Sequence, residues 1–343
     1  MSVSALRQNS TEVEILSVLC KALGDPLRLE ILRLLRNESF SVLEICRILS
    51  IRQSALSHHL KILANTGLLT TRREGNSIFY RRPMLLAKDR FHAFRKNCYE
   101  LIDQTPLRVE LKQGIAAIHR ERSEQSLLFF TRHADQFREQ QELITAYEDY
   151  EETLLELLNG LSLPGSLRVM EVGPGEGGLL ARLAERFEQV TGLDNSLDML
   201  NRARQTMTTS GNDNVSFIHG DTRTAIKHGL HSDLLIFNMV LHHIPSPREA
   251  FQDSATILDS GGLLLLIDLC HHDQDWVRDT CGDLWLGFDN EDLDSWARQA
   301  GLTPGQSMYL GLRNGFQILM RLFSKNTPVA HGPQLNKQST TTP

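Results

Sequence analysis

One short segment constrains the fold of this 343-residue chain more than any other. It reads R-V-M-E-V-G-P-G-E-G-G-L-L over residues 168–180 and is followed by Gly192-Leu193-Asp194. The pattern predicts a buried strand, a glycine turn, the start of a helix, and a second strand that ends in a carboxylate. Such a turn lets the backbone approach a nucleotide-like ligand, and the carboxylate lies where ribose hydroxyls would be. The segment therefore predicts a Rossmann-like ligand-binding domain.

The chain after residue 168 alternates short apolar strands with helices. The predicted strands are 168–172, 189–194, 215–219, 234–238 and 263–269, with two final strands expected within 308–321. This alternation predicts a mostly parallel sheet that is covered by helices on both faces. Residues 324–343 are polar and rich in Thr, Pro and Gln, which predicts a disordered tail.

The first hundred residues follow a different pattern, in which helices precede a β-hairpin. Apolar spacing and capping residues predict helices over 13–23, after Asp25-Pro26, from Ser41, and from Gln53 to Gly67. Two short strands, 68–73 and 77–82, flank the turn signal Glu74-Gly75-Asn76. This order is typical of a winged helix. A further helix is predicted over 85–102, and a helical connector that also covers the next domain is predicted over 106–160.

Charge is distributed unevenly along the chain. The net charge is −6, yet residues 1–105 contain 16 Lys+Arg and 10 Asp+Glu, which leaves 20 and 32 for the remainder. A basic N-terminal part on an acidic body suits a module that binds a polyanion. No apolar run approaches the roughly 20 residues that span a bilayer, and the five cysteines form no C-x-x-C pair. We therefore expect a cytoplasmic protein without a disulfide framework.

Residues 22–82 resemble the ArsR/SmtB family of bacterial repressors. The motifs are L-G-D-P-L-R-L-E-I-L-R-L-L at 23–35, Q-S-A-L-S-H-H-L-K-I-L-A-N-T-G-L-L at 53–69, and R-R-E-G-N-S-I-F-Y at 72–80. The resemblance implies that the helix from Gln53 enters the major groove of an operator and that the hairpin lies along the DNA backbone. The residues expected near bases are Gln53, Ser54, Ser57, His58 and His59. Those expected to face phosphates are Lys61, Arg72, Arg73 and Arg81.

Two further expectations come from the same resemblance. Repressors of this family read two half-sites, which implies a homodimer that pairs the helices over 13–23 and 85–102. Many members sense metals through a C-x-C pair, but Ser41 and Leu43 stand at those places here. Without those thiolates we expect no metal site at this place. We also expect none at H-H-D, residues 271–273, because adjacent residues rarely converge on one ion.

The segment E-V-G-P-G-E-G at 171–177 resembles the first motif of class I methyltransferases, which bind S-adenosylmethionine (SAM), and the resemblance covers roughly residues 125–322. The implied cofactor-binding residues are Glu171, Gly173, Gly175, Gly177, Asp194, Asn195, Asp221, Thr222, Asn238 and Met239. Asp194 would bind the ribose hydroxyls, and Asp221 the adenine amino group. Gly173, Gly175 and Gly178 also satisfy the dinucleotide pattern G-x-G-x-x-G. The glutamate two places before the first glycine, Gly220-Asp221 and Leu241-His242-His243 favour the methyltransferase interpretation.

Together these patterns predict an α/β chain that joins a winged helix-turn-helix to a Rossmann-like class I methyltransferase domain. The expected boundaries are 1–105, 106–160, 161–323 and 324–343. The favoured function is a transcriptional regulator that senses SAM or its product S-adenosylhomocysteine (SAH). The alternative is a SAM-dependent methyltransferase that acts on a small molecule while its N-terminal domain controls its own pathway's genes.

No catalytic residue is assigned from the sequence, since proximity supplies much of the catalysis in methyl transfer. Five residues could act as general bases, and a structural role is favoured for each: His242, His243, His271, His272 and Asp273.

Overall fold

The structure of the protein is a computed structural model, and it describes residues 11–85, 89–133 and 137–326. Its N-terminal domain consists of α1 (Glu12–Leu23), α2 (Pro26–Leu34), β1 (Phe40–Ser41), α3 (Val42–Leu49), α4 (Gln53–Asn65), β2 (Thr70–Glu74), β3 (Ser77–Arg81) and α5 (His92–Gln104). Its strands form an antiparallel sheet in the order β1-β3-β2. The predicted winged helix is confirmed, with β2 and β3 as the wing.

Local capping signals determine where these helices begin. Asp25 accepts a hydrogen bond from the Arg28 N–H group at 3.0 Å, just ahead of a proline at the first helical position. Ser41 and Glu44 accept hydrogen bonds from each other's backbone N–H groups, at 3.4 and 2.7 Å. Such caps satisfy donors that the first helical turn leaves unpaired.

One helix differs from the sequence prediction. α5 begins at His92 and not near Leu85, because Asp89 forms a turn directly before it. The Asp89 carbonyl accepts from the His92 N–H group at 2.9 Å, and its carboxylate accepts from the Phe91 N–H group at 3.1 Å and from Arg95 at 2.7 Å. Residues 86–88 lie outside the described part of the chain. Strand β1 was not predicted, since two residues carry no periodic pattern.

The connector consists of α6 (Val109–His133), α7 (Phe137–Glu142), a 3-10 turn (Tyr147–Asp149) and α8 (Glu151–Gly160). The C-terminal sheet domain consists of β4 (Arg168–Val172), α9 (Gly178–Arg186), β5 (Gln189–Asp194), α10 (Leu197–Ser210), β6 (Val215–His219), α11 (Thr222–Lys227), β7 (Ser232–Asn238), a 3-10 turn (Leu241–His243), α12 (Pro247–Ile257), β8 (Leu258–Leu269), α13 (Trp276–Thr280), α14 (Asn290–Gln299), β9 (Leu302–Gly311) and β10 (Gln317–Lys325). None of the described helices is long and apolar enough to cross a membrane.

The seven strands have the order β6-β5-β4-β7-β8-β10-β9. The first five in this order pair in parallel, whereas β10 pairs antiparallel with both β8 and β9. The predicted mostly parallel α/β sheet is confirmed. β10 continues to Lys325, past the expected boundary at residue 323, and residues 327–343 of the expected tail lie outside the described residues.

The wing packs against the sheet domain. Phe79 of β3 is 6% exposed and belongs to the apolar core of the sheet domain. Its ring contacts the indole of Trp285 edge to face, with ring centroids 5.4 Å apart. Separating the two domains would expose these rings to water, which costs free energy in proportion to their apolar area.

Arg122 of the connector helix α6 joins the two domains at the same place. Its guanidinium donates two hydrogen bonds to the Glu44 carboxylate of α3, each at 2.9 Å, and one to the Pro245 carbonyl of the sheet domain at 3.1 Å. The same group lies 5.5 Å from the ring centroid of Phe79 and 5.0 Å from that of Trp285. One buried cation therefore contacts the helix-turn-helix, the wing and the sheet domain.

This geometry predicts that Arg122→Ala destabilises the protein strongly. Breaking a buried ion pair leaves the partner charge uncompensated, and the expected loss is about 3–5 kcal/mol. Denaturant unfolding of the full chain, followed by tryptophan fluorescence, measures it. The control is Arg120→Ala, an exposed neighbour on the same helix, for which a change within about 0.5 kcal/mol is expected. Equal midpoints for the two variants would contradict the prediction.

Candidate functional site

A cleft of about 1010 Å³ lies at the carboxyl ends of the parallel strands. It is centred where the strand order reverses, since β5 and β7 lie on opposite sides of β4. Ligands of open α/β sheets bind at such a point. The glycine turn after β4 forms one wall of the cleft, and helix α6 of the connector forms another.

The glycine turn requires glycine for steric reasons. Gly173 has a φ of +67°, and a Cβ there would lie 2.3 Å from Cγ2 of Val240. Gly177 has a φ of +87°, and a Cβ there would lie 3.2 Å from Cα of Ala203. The first glycine therefore brings the end of β4 against the floor of the cleft, and the second lets α9 start against α10.

Asp194 closes β5 at the edge of the cleft. Its Oδ1 accepts a hydrogen bond from the backbone N–H group of Ser196 at 2.8 Å, which fixes the carboxylate. Burial raises the pKa of Asp194 to about 6, although this hydrogen bond and the nearby His219 lower it. A partly desolvated carboxylate of this kind is a strong acceptor for ligand hydroxyl groups.

Seven of the ten residues expected to bind cofactor line the cleft. They are Gly173, Gly175, Asp194, Asn195, Asp221, Thr222 and Met239. Two of them also have local structural roles: Asp221 caps α11 by accepting from the Thr224 N–H group at 2.9 Å, and Thr222 donates to Asp253 at 2.6 Å. Side chains that follow β5, β6 and β7 therefore lie around the same cleft.

The other three expected residues, Glu171, Gly177 and Asn238, are not on the cleft surface. Glu171 is 1% exposed, and burial raises its pKa to about 8, while the neighbouring Asn238 lowers it less. Asn238 accepts a hydrogen bond from the Tyr150 hydroxyl group at 3.1 Å. Glu171 and Asn238 therefore support the cleft from below.

Helix α6 lines the cleft with residues that no sequence motif indicated. They are Lys112, Gln113, Ile115, Ala116, His119, Arg120, Ser123, Ser126 and Phe130. Other residues of the same helix contact α3 of the winged-helix domain: Gly114 lies against Ile48, and Glu121 pairs with Arg47 at 2.6 Å. Helical periodicity predicts such a helix but does not indicate which domain each of its faces contacts.

Hydrogen bonds connect the floor of the cleft to the loop beneath the wing, which contains residues 284–286. The Asp268 carboxylate accepts from the N–H group of Leu241 at 3.0 Å and from Nδ1 of His242 at 2.8 Å. The His242 carbonyl in turn accepts from the N–H groups of Leu284 and Trp285, at 3.0 and 3.2 Å. The segment after Val240 and the loop that carries Trp285 are therefore parts of one buried network.

Helix α4 presents most of its expected DNA-contacting residues to solvent. Gln53, Ser54, Ser57, His58 and Lys61 are exposed, whereas Leu56, Leu60 and Leu63 are fully buried. His59 is half-buried, with its Nδ1 3.6 Å from the Asp25 carboxylate. The helix therefore has one face in the core and one polar face that is open to a partner.

Two of the three wing arginines expected to face phosphates, Arg72 and Arg81, contact the sheet domain in this structure. The Arg72 side chain is 11% exposed, donates to the carbonyl of Gly287 and pairs with Glu74 and Asp292. Arg81 pairs with the same Asp292. Both guanidinium groups face the Asp292 carboxylate because the first turn of α14 packs on the wing.

The tip of the wing is also covered. Glu74 is 1% exposed, and its carboxylate accepts from the N–H group of Leu286 at 2.8 Å. Burial raises the pKa of Glu74, while Arg72 lowers it. Of the expected wing contacts, Arg73 alone is exposed, with its Nε bonded to the Gly75 carbonyl at 2.9 Å.

The run His271-His272-Asp273 lies beside the wing and away from the cleft. Its three residues line a second cavity of about 530 Å³ together with Arg72 and Arg81. Nδ1 of His271 bonds the Leu286 carbonyl at 3.0 Å, and burial lowers the pKa of His272 to about 4. These residues are not positioned to act as bases in the cleft.

Comparison with known proteins agrees with this two-domain architecture. A model for bacterial regulatory proteins of the arsR family matches residues 25–71, and a methyltransferase-domain model matches residues 164–301. The transcriptional activator HlyU of Vibrio cholerae is 39% identical over 80 residues, which make up 23% of this chain and 71% of that protein. The chain belongs to the arsR family of bacterial regulatory proteins. In this arsR-family protein the regulatory domain is followed by a methyltransferase domain.

This chain covers a smaller share of the enzyme that matches its methyltransferase domain than it covers of HlyU. The tRNA 5-carboxymethoxyuridine methyltransferase of Escherichia coli K12 is 37% identical over 106 residues, 30% of this arsR-family protein and 41% of that enzyme. This chain thus matches less than half of that relative's length. Magnesium protoporphyrin IX methyltransferase of Synechocystis PCC 6803 with bound SAH is 19% identical, with a TM-score of 0.44 over 52% of this chain and 82% of that structure.

Proposed function

We propose that this arsR-family protein is a DNA-binding transcriptional regulator whose methyltransferase domain binds SAM or SAH. The observation that carries the proposal is the position of α6. This helix forms a wall of the cleft and, through Arg122, contacts the helix-turn-helix and the wing. A ligand that moves this wall would also move the contacts of the DNA-binding domain.

The ligand follows from the chemistry of the cleft. Gly173 and Gly175 line the cleft with backbone that carries no side chain, and the amino-acid part of SAM would pass along it. Asp194 would accept from the ribose hydroxyl groups. Asp221, at the start of α11, would accept from the adenine amino group. SAM and SAH share all of these groups and differ only in the methyl group and its charge.

DNA recognition is assigned to the open polar face of α4. Gln53, Ser54, Ser57 and His58 would reach base edges, and Lys61 would reach a phosphate. The exposed Arg73 would reach a phosphate directly. Arg81 would join only after leaving Asp292, and Arg72 only after leaving Asp292 and Glu74. The protein then has two conformations, one with the wing on the sheet domain and one with the wing on DNA. A ligand shifts their populations if it binds them with different affinities.

A second candidate function is SAM-dependent methyl transfer to a small molecule. The size of the cleft favours it, since about 1010 Å³ is at the upper end of the roughly 300–1,000 Å³ usual for one drug-sized ligand. Space for an acceptor would then remain beside SAM. A sensor needs no turnover, so methyl transfer by the purified protein distinguishes the two functions.

We also propose a homodimer, and a single substitution tests it. Val13 and Leu16 of α1 and Leu101 of α5 are 76%, 38% and 65% exposed, an apolar surface at the helices expected to pair across the two-fold axis. Leu101→Glu is therefore expected to convert dimer into monomer, measured by light scattering of the full chain. The control is Leu197→Glu on α10, where a leucine 52% exposed lies away from this surface. A wild-type monomer would contradict the proposal.

Coupling between the cleft and DNA is tested by calorimetry with SAM and with SAH. The titrations are made with and without a duplex selected by the protein from random-sequence DNA. Because coupling is reciprocal, DNA is expected to change the affinity of one ligand by about 5- to 150-fold. Asp194→Ala should abolish ligand binding and retain DNA binding, whereas the exposed Asp198→Ala should behave as wild type. Equal ligand affinity with and without DNA would reject the sensor, and turnover would then support the enzyme.

The closed position of the wing predicts that Asp292→Asn strengthens DNA binding. The substitution removes the carboxylate that pairs with Arg81, so Arg81 becomes available to phosphates, whereas Arg72 keeps its pair with Glu74. The slope of log affinity against log salt should steepen by about 0.9 for the arginine released. Asp294→Asn is the control, because Asp294 lies on the same helix but pairs with Arg298 and Arg321. An unchanged slope in Asp292→Asn would contradict the closed conformation.

A further inference from the structure

Three buried polar side chains meet between the cleft and the loop beneath the wing. His242 and His243 follow β7, and Asp283 lies on the segment after α13. They are 0%, 6% and 2% exposed. One potential ligand atom of each lies within 4.8 Å of the others. Imidazole nitrogen and carboxylate oxygen are common ligands of transition-metal ions.

Each histidine of this cluster forms its side-chain hydrogen bond through Nδ1, and the other ring nitrogens and the carboxylate oxygens have no hydrogen-bond partner among the described residues. Nδ1 of His242 bonds Asp268 at 2.8 Å, and Nδ1 of His243 bonds the Gly282 carbonyl at 3.2 Å. Both acceptors require an N–H group at Nδ1, so each ring carries a lone pair at Nε2 when it is neutral. Nδ1 of His243 also lies 4.0 Å from Oδ1 of Asp283. Among the described residues, neither Nε2 atom and neither oxygen of Asp283 has a hydrogen-bond partner.

Four buried polar atoms without a hydrogen-bond partner need an explanation. Such groups are rare in folded proteins and usually indicate a bound ion or water. A proton on Nε2 of His242 would supply one donor toward Asp283 Oδ1, which is 3.9 Å away. It would leave Nε2 of His243 unpaired, so a proton accounts for the cluster less completely than a cation does.

The surroundings also orient one ligand as in known metal sites. A histidine that binds metal usually donates its other ring N–H group to a carboxylate, which fixes the ring and raises its basicity. Asp268 does this for His242, and is itself fixed by the N–H groups of Leu241 and Leu269 at 3.0 and 2.7 Å.

We propose that His242, His243 and Asp283 bind a divalent transition-metal ion of the zinc class. Two imidazoles and one carboxylate suit zinc better than calcium or magnesium, which prefer sites made of oxygen ligands. Three protein ligands leave one position of a tetrahedral site, and His243 lines the cleft. The ion would link the 3-10 turn at the cleft floor to the segment that carries Leu286, whose N–H group binds the wing.

A second cluster of similar composition provides the matched control. His119 lies between Glu38 of the winged-helix domain and Glu249 of α12, with Nε2 3.4 Å from the first and Nδ1 3.6 Å from the second. The two carboxylates face different nitrogens of one ring, so these groups are arranged for ion pairs. The sequence expectation of no metal site considered only neighbouring residues, whereas His242 and Asp283 are separated by a strand and two helices.

Metal binding is measured on the full chain after chelator treatment, by zinc titration against a chromophoric competitor. We expect one tight zinc per chain, lost in His242→Gln and Asp283→Asn and retained in His119→Gln. Asp268→Asn should retain the stoichiometry with about 10- to 100-fold weaker affinity. Cobalt(II) added to the wild-type protein should give the visible absorption of a tetrahedral site, a readout that requires no variant to fold.

Two outcomes would overturn the proposal. The first is a wild-type protein that binds no more zinc than Asp283→Asn and gives no tetrahedral cobalt spectrum, which would assign the cluster to a protonated His242 between two carboxylates. The second is zinc that is lost in His119→Gln and retained in Asp283→Asn. Neither outcome depends on DNA or SAM, so this test is independent of the proposed regulatory function.

Discussion

The relation between the two domains depends on the buried guanidinium of Arg122. A single planar cation contacts Glu44, the rings of Phe79 and Trp285, and the carbonyl of Pro245. Arginine suits this position because its five donors and flat faces can bind a carboxylate edge-on while aromatic rings pack beside it. A lysine could supply the charge but not the bidentate geometry. The position of α6, and with it one wall of the cleft, follows from these contacts.

The charges of the wing explain how the same residues can serve two partners. Arg72 and Arg81 now face Asp292, and DNA phosphates would compete with that carboxylate for the same guanidinium groups. Docking of the wing and binding of Arg72 and Arg81 to DNA would therefore exclude each other. In the proposed regulator this competition would supply two states, and the exposed face of α4 would be present in both.

The buried network gives the cleft a physical connection to that competition. Val240 touches the space beside Gly173, His242 follows it by two residues, and the His242 carbonyl accepts from the loop that carries Trp285. Leu286 of the same loop binds the carboxylate of Glu74 at the tip of the wing. These hydrogen bonds lie in the protein interior, where close packing lets a shift at one end act on the other.

Features that depend on a few neighbouring residues could be predicted from the sequence. The glycine turn at Gly173, the cap at Asp25, the hairpin turn around Gly75 and the apolar strands of the sheet are set by local sterics, hydrogen bonding and periodicity. Seven of the ten expected cofactor residues line one cleft for the same reason, since strand ends in a parallel sheet meet at one edge.

Only the tertiary structure decided which partners the charged and polar residues use. Nothing in the local sequence distinguishes an arginine that faces phosphate from one that faces Asp292, because either partner satisfies the same charge. The face of α6 that lines the cleft, and the meeting of His242 with Asp283, likewise depend on how distant segments pack. Local chemistry determined the elements and their ends, whereas burial of shared apolar surface between the domains determined which charges came together.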